Sequence, residues 1–368
     1  MQTSNLGPVH RHIVAKSNDK SSHQKALYIY HVEATHPSTD ANIIASLSNN
    51  NILLMSLDDA GLREVRSFEA HKKTITDIEV NLYYNPSLLF TASQDKTVCM
   101  WDLRLKSPSV ATFTFSDEVN ALAVSEAGLL AAGTSSAIHF RDIRSFATNP
   151  DNTPSSSSSA AGHSSSSLGE YADTHTDLVT SLEFNSNRKS SILVSGSEDG
   201  LAVVYDTSVA SNEEAVVSIL NLDCPVRRCS FFGPNYEGLV CFTTTEIPSL
   251  WHFPSAQRLG VFSSIRENAS IDYLLSSFYD QNTDELYLYA GKYSGEGAVL
   301  LVEPSSVATA SLLEGGHSDM IRSSALLPNS HRLITGGEDG TICVWDLSKS
   351  SGGKSIEAPP KKRKTGSL

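Results

Sequence analysis

Three times along the chain a histidine, a strand hydroxyl, a turn aspartate and a large aromatic recur in the same order, the last three at fixed spacing. In the last set they are His317, Thr335, Asp339 and Trp345; the earlier sets are His71, Thr91, Asp95, Trp101 and His175, Ser195, Asp199, Tyr205. Hydroxyl to aspartate is four residues and aspartate to aromatic is six in every set. Around the last set, the apolar runs Met320 to Leu327, Arg332 to Thr335 and Thr341 to Leu347 are divided by Pro328-Asn329-Ser330 and by Gly336 to Gly340, the pattern of short antiparallel strands and their turns. A unit this small has a face exposed on each side. It cannot bury a core alone and must stack against copies of itself.

The four side chains form a chain of complementary donors and acceptors. The turn carboxylate accepts from the imidazole, the imidazole bonds the strand hydroxyl, and that hydroxyl bonds the indole N–H. Such a buried polar staple fixes a turn against its strand. Hydroxyl, histidine and aspartate together also raise a hydrolase reading. That reading needs an exposed nucleophile beside an oxyanion hole, yet Thr335 lies within an apolar strand and no G-x-S-x-G surrounds it. No catalytic residue, metal or cofactor is expected.

The unit resembles a WD repeat, which implies an all-β, seven-bladed propeller. Seven units of about 40–45 residues need about 280–315, and the chain has 368. The positions equivalent to the aromatic are Met55, Trp101, Arg141, Tyr205, Trp251, Val302 and Trp345. Blades 2, 4 and 7 carry the staple; blade 3 has lost it, blade 5 keeps only Trp251, and blade 6 keeps neither. In blade 4, Tyr205 is expected to supply the donor that tryptophan supplies elsewhere. Gly291, Gly295 and Gly297 are read as turn residues, because they do not follow a strand and open a helix as phosphate-binding glycines do. Nothing follows Leu347 to serve as a fourth strand of blade 7, so Val9 to Ala15 is assigned to that place, closing the ring from the N-terminus. Residues 1–8 are then a tail, 9–348 the propeller, and 349–368 a basic tail. A Ser-rich insertion at about 146–168, between the third and fourth strands of blade 3, is too poor in apolar residues to order; it is a spacer or a phosphorylated loop.

A net charge of −13 argues against direct nucleic-acid binding by the ring and suits a basic protein client, or solubility alone. The five cysteines form no C-x-x-C pair and no even disulfide framework; Cys99 and Cys343 hold the same repeat position and read as small buried apolar residues in a reducing compartment. No apolar run reaches the ~20 residues of a membrane helix, and the polar N-terminus is no signal peptide. A soluble, unsecreted protein is expected.

Beyond the general repeat, GEYADTH running into LVSGSEDGLAVVYD, then SNEEAVVSILNLDC, Asp272-Tyr273-Leu274 and GGHSDMIRS before TGGEDGTICVWD resemble the WD repeat-containing protein 89 family. That resemblance covers nearly the whole chain. It implies nuclear or nucleocytoplasmic residence and supplies no catalytic residue.

Two further motifs point to function. Lys361, Lys362, Arg363 and Lys364 follow two prolines and an SKSSGGKS linker, which looks like a nuclear localisation signal read by an importin-type receptor; a solvated basic tail is the plain alternative. Trp101-Asp102-Leu103-Arg104 resembles the box by which WD proteins dock the adaptor of cullin-4 ubiquitin ligases, and Arg141-Asp142-Ile143-Arg144 repeats it in the next blade. In the alternative, Asp102 and Asp142 pair with Arg104 and Arg144 on a solvent rim for little net energy. The sequence thus points to a non-enzymatic nuclear scaffold that binds or escorts a basic client, with a substrate receptor of a cullin-4 ligase as the second reading.

Overall fold

The computed structural model describes residues 3–14, 27–35, 41–58, 60–80, 85–105, 109–144, 146, 167–185, 191–327 and 331–349. Alternating short apolar runs and tight turns fold into seven antiparallel sheets. The innermost strands are Ile29–Ala34, Ile75–Val80, Ala121–Val124, Val179–Phe184, Val226–Phe232, Tyr273–Asp280 and Ile321–Leu327. Each lies beside the next, and the last lies beside the first, so they enclose a central channel. The protein is a seven-bladed β-propeller. Its two α-helices among the described residues are single turns, Asn212–Ala215 between the third and fourth strands of blade 4 and Ile265–Ala269 between blades 5 and 6.

Strand register fixes the phase of every blade. The seven aromatic-equivalent residues each face an aliphatic residue of the second strand: Ile43 opposite Met55, Leu89 opposite Trp101, Leu130 opposite Arg141 and Leu193 opposite Tyr205. Leu239 faces Trp251, Leu286 faces Val302 and Leu333 faces Trp345. Third strands such as Thr97–Asp102 and Thr341–Asp346 are buried along almost their whole length, because each blade is covered on both faces. The core therefore lies between blades. Ile44, Ile52 and Leu54 of blade 1, for instance, pack on Ile75, Ile78, Leu89 and Trp101 of blade 2.

The N-terminus closes the ring as expected, His10–Ile13 pairing antiparallel with Thr341–Asp346 from His10 opposite Val344 to Ile13 opposite Thr341. Reading residues 1–8 as a tail needs correction, however. Ser4–Leu6 is a fifth strand of blade 6, parallel to Val307–Leu313. Ser4 Oγ meets Ser311 Oγ at 3.0 Å, and Leu6 packs into the cluster of Tyr289, Val299, Leu313, Leu333 and Trp345 between blades 6 and 7. One N-terminal segment thereby ties two neighbouring blades.

The Ser-rich insertion is shorter than read from the sequence. Ser167–Tyr171 is already the outer strand of blade 3, paired with Ile138–Asp142, and the Phe146 ring sits edge-on to Phe113 at 5.6 Å. The serine runs themselves lie outside the described residues.

Candidate functional site

Strands alternate in direction, so loops segregate to two ends of the ring. Turns between second and third strands, and the connections between blades, share one end; the remaining turns share the other. The three staples stand at the first end, which is called here the staple end.

In blade 2, His71 Nδ1 lies 3.1 Å from Asp95 Oδ2 and His71 Nε2 lies 2.7 Å from Thr91 Oγ1, to which Trp101 Nε1 donates at 2.9 Å. Blade 7 repeats the geometry: His317 Nδ1 to Asp339 Oδ1 is 3.2 Å, His317 Nε2 to Thr335 Oγ1 is 2.7 Å, and Trp345 Nε1 donates to Thr335 Oγ1 at 2.8 Å. The turn needs a small residue beside the imidazole, since a Cβ on Gly337 would stand 2.7 Å from His317 Nδ1. In blade 4, His175 Nδ1 meets Asp199 Oδ2 at 3.0 Å and His175 Nε2 meets Ser195 Oγ at 2.6 Å. The Tyr205 hydroxyl does not close this third set; it is buried without a well-formed hydrogen bond, and its ring stacks on Tyr171 at 5.1 Å instead.

The three hydroxyls, Thr91, Ser195 and Thr335, are at most 1% exposed, and each is engaged by its histidine. They tie strands together and present no nucleophile to a substrate. Burial pushes the His71 and His175 imidazoles below their ordinary range, against the pull of Asp95 and Asp199. Burial alone would raise Asp339, but bonds from His317, the Ser318 N–H and the Thr341 N–H hold it at about 2.

Blade 3, which lacks this staple, carries another histidine network one strand away. His139 Nδ1 lies 2.9 Å from Glu170 Oε2, and His139 Nε2 lies 3.3 Å from Thr134 Oγ1. The alternation of polar residues in Ile138–Asp142 was its only signal in the sequence.

At the opposite end, Asp102 and Asp142 hold the two rim arginines in matching forks. Arg104 Nε and Nη2 donate to Asp102 at 2.9 and 2.6 Å; Arg144 Nε and Nη2 donate to Asp142 at 2.9 and 2.5 Å. The arginine side chains remain 55% and 67% exposed, so each guanidinium is oriented by its aspartate while still reaching solvent. Arg66 of the neighbouring blade braces the first fork, donating to Leu103 O at 3.0 Å and also to Leu105 O. Lys361, Lys362, Arg363 and Lys364 lie outside the described residues.

The channel holds a third group of polar residues that the sequence reading missed. An inner strand has no strand on its channel side, so its outward N–H groups need partners. Side chains of the preceding blade supply them. Asp77 Oδ2 accepts from Leu122 N at 2.9 Å and Glu79 Oε1 from Val124 N at 3.2 Å; Ser181 Oγ accepts from Cys229 N at 3.1 Å, Glu183 Oε1 from Phe231 N at 3.0 Å and Ser323 Oγ from Val32 N at 3.0 Å. Glu33 and His31 join this lining, and Arg228 projects into it as an exposed cation. Half-burial among protein atoms pushes Glu33 up to about 7 and Asp77 to about 6, and raises Glu79 and Glu183 as well.

With this geometry the class of protein is defined. The WD domain, G-beta repeat family matches residues 62–102, 165–206 and 309–346, each match running from the outer strand of one blade through the third strand of the next, and ending in a staple blade. The chain carries WD repeats, on a fold typical of non-enzymatic scaffolds for protein–protein interaction.

More particularly, it is 27% identical over 320 residues to WD repeat-containing protein 89 homolog of Dictyostelium discoideum, covering 85% of this chain and 82% of that one. It is 25% identical over 361 residues to WD repeat-containing protein GTS1 of Arabidopsis thaliana, covering 89% and 86%. The resemblance read from the sequence is thus borne out. A chain in the crystal structure of a mitotic checkpoint complex superposes with a TM-score of 0.71 over 94% of this chain and 93% of that one; at 14% identity it speaks to the fold alone.

Two stability predictions follow from this site. His317→Ala or Asp339→Ala should each cost about 1–3 kcal/mol in urea denaturation by leaving buried partners unpaired, with the double variant losing less than the sum of the two; additive losses would separate the residues energetically. The channel acids act in the opposite sense to Asp339. A carboxyl whose folded pKa is raised makes stability fall as pH climbs from about 4.5 to about 7. Glu33→Gln should therefore gain on wild type across that window, reaching about 1–3 kcal/mol at pH 8. Parallel stability–pH curves for the two proteins would show that Glu33 stays ionised throughout.

Proposed function

We propose that the protein is a nuclear scaffold whose staple end holds a basic protein client. The observation that carries this reading is the distribution of unpaired charge. At that end Arg227, Lys292 and Arg322 are each matched by a carboxylate, Glu246, Glu296 and Glu338, and the exposed Lys72, Lys73 and Lys96 of blade 2 and Arg266 of the connection from blade 5 to blade 6 lie away from blades 4 and 7. Asp173, Asp177, Glu198 and Asp319 remain exposed over blades 4 and 7 with no cation on them among the described residues. Such a surplus steers a cationic partner and fixes its orientation. The staples keep the loops beneath those carboxylates in place, which lowers the ordering cost of binding.

The matching forks at Arg104 and Arg144 favour a second reading, a substrate receptor of a cullin-4 ligase that docks its adaptor through the opposite end. The two readings separate in one experiment, affinity purification from nuclear extract with wild type, an Asp177→Asn, Glu198→Gln, Asp319→Asn variant and an Arg104→Ala, Arg144→Ala variant. The scaffold reading expects basic proteins bound in a salt-dependent manner, lost from the first variant and kept by the second. A cullin-4 adaptor lost only from the arginine variant would establish the ligase reading, and equal recovery of basic proteins by all three chains would refute the first.

Nuclear residence rests on the run Lys361 to Lys364, the form an importin-type receptor reads. Lys361→Ala with Lys362→Ala should shift a fluorescent fusion of the full chain to the cytoplasm; unchanged nuclear signal would reduce the run to a solvated tail.

A further inference from the structure

Blade 5 carries a chemical substitution at the place where blades 2 and 7 are stapled. Its aromatic, Trp251, is retained, but the residue ten positions before it, occupied by Thr91 and Thr335 in the other two blades, is Cys241. Deprived of a hydroxyl there, Trp251 Nε1 donates to Ser249 Oγ at 2.9 Å. Cys241 instead faces a second thiol. Cys229 of the inner strand stands directly opposite it in register, with the sulfurs 3.4 Å apart and the residues 1% and 0% exposed.

The backbone around this pair identifies its type. Cys229 N–H and Phe231 N–H are both donated across the blade junction, to Ser181 Oγ and Glu183 Oε1. These N–H groups therefore point away from the second strand, and Cys229–Cys241 is a non-hydrogen-bonded pair. Opposed residues of that kind have Cα atoms about 4.5 Å apart, inside the range of about 4.4–6.8 Å that a disulfide spans. Closing the sulfurs to a bond of about 2.05 Å asks for side-chain rotation rather than backbone movement.

We propose that Cys229 and Cys241 form a redox pair, and that its disulfide gives blade 5 the cross-strand tie that the histidine–aspartate pair gives blades 2, 4 and 7. A low-molecular-weight disulfide serves as oxidant. One thiolate of the pair attacks a sulfur of that reagent, expelling a first thiolate and leaving a mixed disulfide; the other attacks the protein sulfur of the adduct and expels a second. Two protein thiols are oxidised, one reagent disulfide is reduced to two thiols, and the two protons pass to the expelled sulfurs. The contact with the Cys241 thiol, and then burial, raise the Cys229 pKa, so the reactive thiolate arises when blade 5 opens locally. Oxidation is therefore gated by breathing of this blade, and the partly exposed Cys224 in the preceding loop reacts independently of that motion.

The test uses the purified full chain incubated with oxidised glutathione, with and without urea below the unfolding midpoint, then digested without reduction and weighed by mass spectrometry. The expected product joins the Cys229 and Cys241 peptides and is lighter by two hydrogens than their sum. It should form faster in the urea, revert with dithiothreitol, and raise the urea midpoint of the chain. Cys241→Ser and, separately, Cys229→Ala should abolish both the linked peptide and the rise in midpoint. Separate glutathione adducts on the two cysteines would overturn the proposal, as would a disulfide joining either one to Cys224 only, or an oxidised chain that unfolds earlier than the reduced one.

Discussion

The unpaired channel edge of each blade is the constraint on which the ring depends. A barrel would satisfy that edge by joining strand to strand; a propeller leaves it open seven times over. Here the solution passes from each blade to the next in one direction around the ring. Blade 2 caps blade 3 through Asp77 and Glu79, blade 4 caps blade 5 through Ser181 and Glu183, and blade 7 caps blade 1 through Ser323. Other junctions are met differently. The inward residues of blade 3 include Ala121 and Ala123, which cannot accept, and at its junction with blade 4 the Val179 N–H donates to the Thr134 backbone carbonyl at 3.0 Å. Arg228 cannot accept either, and Glu246 Oε2 takes the Leu274 N–H at 2.7 Å in its place. Between blades 6 and 7 the Tyr273 hydroxyl accepts from Ile321 N at 2.9 Å.

Carboxylates that cap N–H groups in a narrow channel are stabilised by those bonds and penalised by lost water. For Glu33, Asp77, Glu79 and Glu183 the penalty wins, and their pKa values rise. The staple aspartates stand nearer bulk solvent and take several hydrogen bonds each, so the balance reverses and theirs fall. Acid in this protein therefore has two opposed effects, neutralising strained charge in the channel while weakening the staples at the end of the ring.

The phase of all seven blades was legible because it rests on spacing. Two fixed intervals place Trp101, Tyr205 and Trp345, and the repeat length then finds Met55, Arg141, Trp251 and Val302 without any staple to mark them. The channel acids were not legible. An inner strand such as Ile75–Val80 alternates apolar and polar residues as a solvent-facing strand does, and only the ring reveals that its polar face meets other blades. Ser4–Leu6 carries too few residues for any periodicity, and its pairing is with Val307–Leu313, some 300 residues away along the chain. Tyr205 shows a different limit. Its type and position fit the staple pattern, but a well-formed hydrogen bond also depends on the distance and angle at which two groups meet, which a one-letter pattern does not contain.

The same alternation that segregates loops gives the ring two chemically different ends. At the staple end, Arg227, Lys292 and Arg322 are neutralised within hydrogen-bonded pairs, and the charge left over on blades 4 and 7 is carboxylate on loops that the staples hold. At the other end, blades 2 and 3 orient guanidinium groups outward by spending their aspartates on forks. An ion pair within a loop contributes little stability at a surface, so its larger effect is on geometry: it sets which charges are spent internally and which remain directed at a partner. Of the three blades that retain a staple, blades 4 and 7 carry the surplus carboxylate on their loops, while blade 2 carries exposed lysines. Degenerate blades 1, 3, 5 and 6 depend more on apolar packing and on neighbours, and their turns are freer to diverge in sequence without loss of the ring.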